Sequence, residues 1–118
     1  MHGKIKILKN DDTPYKILDG DKIDLLLISD GIKLNKNILN YDIKIQRILT
    51  PYQLLRTVSV SAYGNYYIII ESKIFDSWKL MIIQEIYNII KMRAYYHNSN
   101  IIFHIYENRT VNENFIGD

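Results

Sequence analysis

Cysteine is absent from this chain of 118 residues. That excludes a disulfide framework and any thiolate metal site. No stretch approaches the roughly 18 consecutive apolar residues of a membrane span. The N-terminal stretch interleaves Lys4, Lys6 and Lys9 with Ile5, Ile7 and Leu8, so the apolar core of a signal peptide is missing. These absences lead us to expect a cytoplasmic protein, or one in an equivalent reducing compartment, with no membrane partner. Glycine is scarce, and its five residues are scattered over turns and termini. There is therefore no Gly-rich phosphate loop, and no cofactor is expected. Low-complexity tracts and internal repeats are lacking too, which argues against a disordered chain or a solenoid. A large charge of one sign is also missing. The net charge of +2 is far from the dense basic face of a dedicated nucleic-acid binder.

What is present is an ordinary globular composition, 47% apolar and 24% charged. The length suits one domain with one real core. We read residues 1–118 as that single domain, with a loose polar tail from about residue 112. Isoleucine outnumbers valine 23 to 3 and alanine 23 to 2, with 11 Asn, 11 Lys and 10 Tyr. The abundant residues have AT-rich codons, so the bias points to an AT-rich genome, such as that of a virus, and says nothing of mechanism.

The first half reads as strands joined by tight turns. Residues 4–9 alternate charged and apolar side chains, the pattern of a half-buried strand. A short strand is expected at 15–18. Residues 22–29 carry the run Leu25-Leu26-Leu27-Ile28, expected as a central strand buried on both faces. Asp19-Gly20 and Asp30-Gly31 read as hairpin turns, because glycine tolerates the positive φ that such turns need. Residues 32–49 fit either a helix or a strand, and alternation over 41–45 favours a strand. Thr50-Pro51 punctuates the chain. Residues 56–62 and 66–73 read as the two arms of a hairpin around Tyr63-Gly64-Asn65, and 101–106 as a last strand.

One long helix is expected over 77–95, with Asp76 and Ser77 as N-cap residues. Projected at 100° per residue, Trp78, Ile82, Ile83, Ile86, Tyr87, Ile89, Ile90 and Ala94 share one arc. Gln84, Glu85, Asn88 and Lys91 form a narrow polar stripe opposite, flanked by Met81 and Met92. The apolar arc spans about 200°, against a little over 100° for an ordinary surface helix. A sheet alone does not cover so wide an arc. Either residues 32–49 or a partner must cover the remainder. The expected fold is α+β: an antiparallel, largely meandering sheet of five to seven strands with this helix packed on it.

Glu71-Ser72-Lys73 is the sharpest chemical signal. At a strand end, Glu71 and Lys73 would share a face, where a carboxylate and an ammonium could hold a metal and activate water. A hairpin ending in Glu-x-Lys, then a helix and a further strand, resembles the core of the PD-(D/E)xK nuclease family over residues 56–106. Gln84 and Tyr87 resemble the Gln and Tyr that some members carry. The resemblance implies metal-dependent phosphodiester cleavage, or a degenerate relative of such an enzyme. The family's Asp on the preceding arm has no counterpart, because Ser59 or Ser61 stands in its place. One carboxylate does not make a Mg²⁺ site, so no metal is expected. Asp19, Asp21 and Asp24 are spaced loosely like a Ca²⁺ loop but lack its closing Glu, and are read as solvated turn acids. His97 and His104 are not spaced as a ligand pair, and His104 is expected on the solvent side of its strand.

Nucleic-acid binding is an alternative, with Tyr63 and Tyr66 stacking bases and Arg56, Lys73 and Arg93 meeting phosphates. The preferred reading is a small non-catalytic interaction or assembly subunit. Its interface would be formed by Trp78, Met81, Ile82, Ile89 and Met92, and its partner would be another protein or, by default, a second copy of itself.

Overall fold

The structure is a computed structural model and describes residues 2–61 and 64–107. Five strands make one sheet: β1 (Ile5–Asn10), β2 (Leu25–Ser29), β3 (Lys44–Ile48), β4 (Tyr66–Glu71) and β5 (Ile101–Tyr106). Four α-helices connect or follow them: α1 (Pro14–Gly20), α2 (Pro51–Val60), α3 (Ser72–Asp76) and α4 (Leu80–His97). A short 3-10 turn at Lys36–Asn40 bridges β2 and β3. The spatial order is β1-β5-β4-β2-β3, and every pairing is parallel. The strand count lies within the expected range. The antiparallel meander and the single helix are both overturned.

The reason lies in the strands themselves. β2 is buried at all five positions, and β4 and β5 at five of six. A strand buried on both faces needs cover on both, and parallel strands get that cover from their own crossovers. On one face Leu25, Leu27, Tyr66, Ile68, Ile70, Ile101, Phe103 and Ile105 meet α2 and α4 through Leu54, Val58, Ile82, Ile86 and Ile90. On the other, Leu26, Ile28, Tyr67, Ile69 and Ile102 meet α1 through Ile17 and Leu18, with Ile38 of the 3-10 turn. Crossovers moving toward β3 use the second face, and those returning use the first. A single hand of crossover requires that division.

None of the three expected hairpins forms. Asp19-Gly20 ends α1, so residues 15–18 are helical. Gly31 does take a positive φ of 84°, in a turn that leads into a crossover. Residues 56–60 belong to α2, not to a strand. Thr50 is the N-cap of that helix, its hydroxyl accepting from Gln53 N–H at 3.1 Å, with Pro51 at the first turn. The undecided region at 32–49 resolves into the 3-10 turn and β3. The N-cap expected at Asp76 or Ser77 also moves. Those residues close α3, and α4 begins at Leu80.

The helical reading of α2 is testable by substitution. Val58 is 1% exposed and Val60 is 74% exposed. Val58→Ala is expected to cost about 2 kcal/mol, from roughly two buried methyl groups and the gap they leave. Val60→Ala should stay within about 0.5 kcal/mol. Urea unfolding of the two variants reads the difference. Equal costs would contradict the helix, because an alternating strand would place both valines on one face.

Candidate interaction surface

α4 positions the candidate surface. Ile82, Ile86, Ile90 and Ala94, four residues apart in turn, form the buried stripe against the sheet. The helix ends where Asn98 adopts the left-handed conformation, φ 54° and ψ 29°, a geometry that asparagine accepts more readily than most residues. α2 lies alongside α4 and covers much of the wide apolar arc, so neither residues 32–49 nor a partner is what covers that flank. The cover is incomplete. Between the two helices runs a groove of about 230 Å³ lined by Ser59, Ile89, Met92, Arg93, Tyr96 and His97. Met92 is 53% exposed and Tyr96 is 70% exposed. The apolar surface continues past the groove, where Tyr95 sits edge-on to Tyr96 with ring centroids 4.8 Å apart and stacks on His2 at 4.0 Å.

One wall of the groove is held rigidly. The Arg93 guanidinium donates to the Ser61 carbonyl and, at 2.5 Å, to the Tyr66 hydroxyl. Its charge lies 5.6 Å from the Tyr66 ring centre, within reach of cation–π attraction. Arg93 thereby ties the end of α2 and the start of β4 to α4.

The expected interface residues are divided by this geometry. Ile89 and Met92 line the groove, whereas Ile82 is in the core. Trp78 is half-buried against Phe75, ring centroids 5.6 Å apart, and Met81 is exposed near the start of α4. The proposed nucleic-acid set is not brought together. Tyr66 is fully buried, Arg93 is engaged as described, Arg56 is exposed on α2 and Lys73 is exposed on α3. Tyr63 lies outside the described residues, as does the tail from 112. Sequence reasoning did not group Tyr96 with Ile89 and Met92, although 89, 92 and 96 are spaced i, i+3, i+7 on one helical face and line one groove. Ser59 was hidden by reading its segment as a strand.

Glu71-Ser72-Lys73 is not a strand triplet. Glu71 ends β4, and Ser72 and Lys73 open α3. The Glu71 carboxylate accepts from the backbone N–H of Lys73 at 3.0 Å and of Ile74 at 3.2 Å, so it caps the helix. The placement matters because β2 and β4 are neighbours whose crossovers leave to opposite faces. The ends of such a pair form the crevice where open parallel sheets bind ligands. Here Glu71 lies at that point. Its backbone N–H donates to Ser29 Oγ at 2.9 Å, and its side chain packs against Gly31, where a Cβ would lie 3.1 Å from Glu71 Cγ. No cluster of three or more His, Asp or Glu residues is found among the described residues. No helix among them is long and apolar enough to cross a membrane.

His104 is also not where the sequence suggests. It is fully buried on the α1 face, with Nδ1 2.7 Å from the Tyr67 hydroxyl and Nε2 2.8 Å from Asn10 Oδ1. Asn10 Oδ1 also accepts from Asp12 N–H at 3.1 Å, which fixes it as an acceptor. Nε2 therefore carries the proton, and Nδ1 accepts from Tyr67. Burial pushes the His104 pKa down, opposed by the hydrogen bond to Asn10 and by the charge of Asp12. Burial pushes the Tyr67 phenol well up, so it remains a donor. Both ring nitrogens are committed to the sheet, Nε2 tying β5 to the edge strand β1 through Asn10 and Nδ1 tying it to β4 through Tyr67. Compared with known proteins, the chain matches no family model, no curated protein and no solved structure.

Proposed function

We propose that this protein is a small non-catalytic interaction subunit, and that the groove between α2 and α4 receives an apolar segment of a protein partner, by default a second copy of the chain. The observation that carries this reading is the row Ile89, Met92 and Tyr96, the first partly buried and the other two exposed, set beside a helix and held by the fixed Arg93. Methionine and tyrosine are enriched at interface centres, the first because it adapts its shape and the second because it joins apolar area to a polar tip. The groups with the strongest chemistry support the same reading, since Glu71, His104 and Tyr67 are each engaged in holding the fold. The lack of cysteine suits a reducing compartment.

Size-exclusion chromatography with light scattering tests the proposal. The wild-type chain is expected to self-associate as its concentration rises. Met92→Glu and Tyr96→Glu should each weaken that association by at least about tenfold, with melting temperature unchanged, because a charge at a desolvated apolar contact costs more than 1.4 kcal/mol. A monomer at every accessible concentration, or association indifferent to both substitutions, would remove this groove as the self-interface.

A further inference from the structure

A second cavity differs from that groove in character. It has a volume of about 760 Å³ and opens at the edge of the sheet where the strands begin. Four separate segments meet there: the start of β1, the loop after α1, the loop before β4 and the loop before β5. Lys4, Lys6 and Lys22 line it, and Asp21 is its one acid. Three lysines less one aspartate give +2, the whole excess carried by the 118-residue chain. Lys16–Asp12 and Arg47–Asp30 pair elsewhere, and none of the three lysine ammonium groups has a carboxylate of the described residues within 4.0 Å.

The amides lining the cavity add a second, independent signal. Asn65 Oδ1 accepts from Asn100 N–H at 3.0 Å, and Asn100 Oδ1 accepts from Lys4 N–H at 2.9 Å. Both side-chain oxygens are thus used by the backbone, and each amide offers its NH₂ as a donor. Asn65 is itself held by its backbone N–H, which donates to Asp24 Oδ2 at 2.9 Å. The cavity thus sets the donors of three lysines and two amides beside a single carboxylate, Asp21.

Two structural explanations for the lysines fall short. Lysines on an edge strand discourage unwanted strand pairing, which accounts for Lys4 and Lys6. Lys22 is on no strand, and the backbone bonds that fix the amide oxygens leave the NH₂ groups without an assigned partner. The C-termini of α1 and α4 also point to this end, and each contributes about half a negative charge at most. Two of them cancel about one unit of the +2, and a positive excess of about one unit remains.

We propose that this cavity binds the phosphate group of a small phosphorylated ligand. Phosphate presents only acceptors when fully ionised, which matches three ammonium groups and two amide NH₂ groups. The volume is that of a site for a molecule of nucleotide size.

Titration of the ¹⁵N-labelled protein with inorganic pyrophosphate at about 0.15 M salt tests this, with NMR shifts as the readout. Saturable shifts are expected at Lys22, Asn65 and Asn100. Lys4→Gln/Lys22→Gln should weaken binding at least tenfold, whereas Lys73→Gln, at the opposite end of the sheet, should match wild type. Asn100→Asp keeps the oxygen that accepts from Lys4 N–H and exchanges the donor for a negative oxygen. It should fold and fail to bind. A single Lys22→Gln variant, which touches no strand, serves if the double variant melts early. The proposal is overturned by the absence of saturation up to about 10 mM, a concentration above which binding carries less than about 3 kcal/mol. It is also overturned if the substitutions leave affinity unchanged. An oligothymidylate that binds and is not displaced by pyrophosphate would overturn it in favour of a nucleic-acid surface.

Discussion

Phe103→Ala is expected to cost about 3–5 kcal/mol, the range for emptying a buried phenylalanine site. Domains of this size have total stabilities of about 5–15 kcal/mol, so the variant should sit near the limit of folding. Phe103 is 1% exposed at the centre of β5. Its ring lies edge-on to Phe75 with centroids 5.8 Å apart, and tilted to Tyr87 at 5.6 Å. Phe75 is in α3 and Tyr87 in α4, so the ring anchors both helices of the β4-to-β5 crossover to the sheet. Two comparisons isolate that role. Phe103→Leu, which keeps most of the volume, should cost less than about 1.5 kcal/mol. Phe75→Ala should be non-additive with Phe103→Ala, because the two rings share one contact. Urea unfolding followed by circular dichroism gives the values for the three single variants and for the Phe75→Ala/Phe103→Ala double. Additive costs would mean that α3 does not pack where the structure places it.

That crossover also shows how far the sequence could be read. The last strand at 101–106 was legible to the residue, because five of its six positions are apolar or aromatic and it follows an Asn-Ser-Asn break. Leu25–Ile28 and Ile68–Ile70 were legible as strands buried on both faces. That feature already favoured a parallel sheet, but the Asp-Gly pairs pulled the reading toward hairpins. Gly20 is equally at home at the end of a helix, and nothing local separates the two uses. The strongest missed signal was Thr50-Pro51. An N-cap threonine before proline, followed by Leu54 and Val58 four residues apart, marks a helix start and its buried stripe. The alternation of Val58, Ser59 and Val60 is too short to outweigh it. Without α2 the apolar arc of α4 looked uncovered, which overstated the exposed surface. Ile89 and Met92, named from the projection, line the groove left between the two helices. Ending the helix at 95 left out Tyr96. The basic cavity was not legible at all, because Lys4, Lys22, Asn65 and Asn100 come from four loops and strand starts that only the parallel topology brings to one end.

Removing the His104 imidazole should cost about 3 kcal/mol and also change how stability depends on pH. His104→Ala leaves the Tyr67 hydroxyl, on a fully buried side chain, without its acceptor, a loss of about 1–3 kcal/mol. The vacated volume adds to that cost. Asn10 is hurt less, because its Oδ1 still accepts from Asp12 N–H and its carbonyl from Glu107 N–H. Tyr67→Phe orphans Nδ1 instead and should cost about 1–3 kcal/mol. Tyr67→Phe/His104→Leu removes both partners and should cost less than the sum of the separate changes, since neither leaves a bare polar group behind. The pH dependence follows from the depressed pKa. In the unfolded chain the imidazole takes up a proton near pH 6.5, whereas the folded site resists it through burial. The groups facing the ring are Tyr67, Tyr106, Asn10 and the charge of Asp12, and the hydrogen bond to Asn10 and the Asp12 charge oppose the shift without reversing it. The contribution is therefore fully present above about pH 6.5 and is lost as pH falls from there toward the folded value. Between about pH 6.5 and pH 5 the wild-type chain should lose stability faster than His104→Leu, which has no proton to bind. Parallel curves for the two proteins would show that His104 accepts a proton as easily folded as unfolded, and the donor assignment from Tyr67 to Nδ1 would then fall.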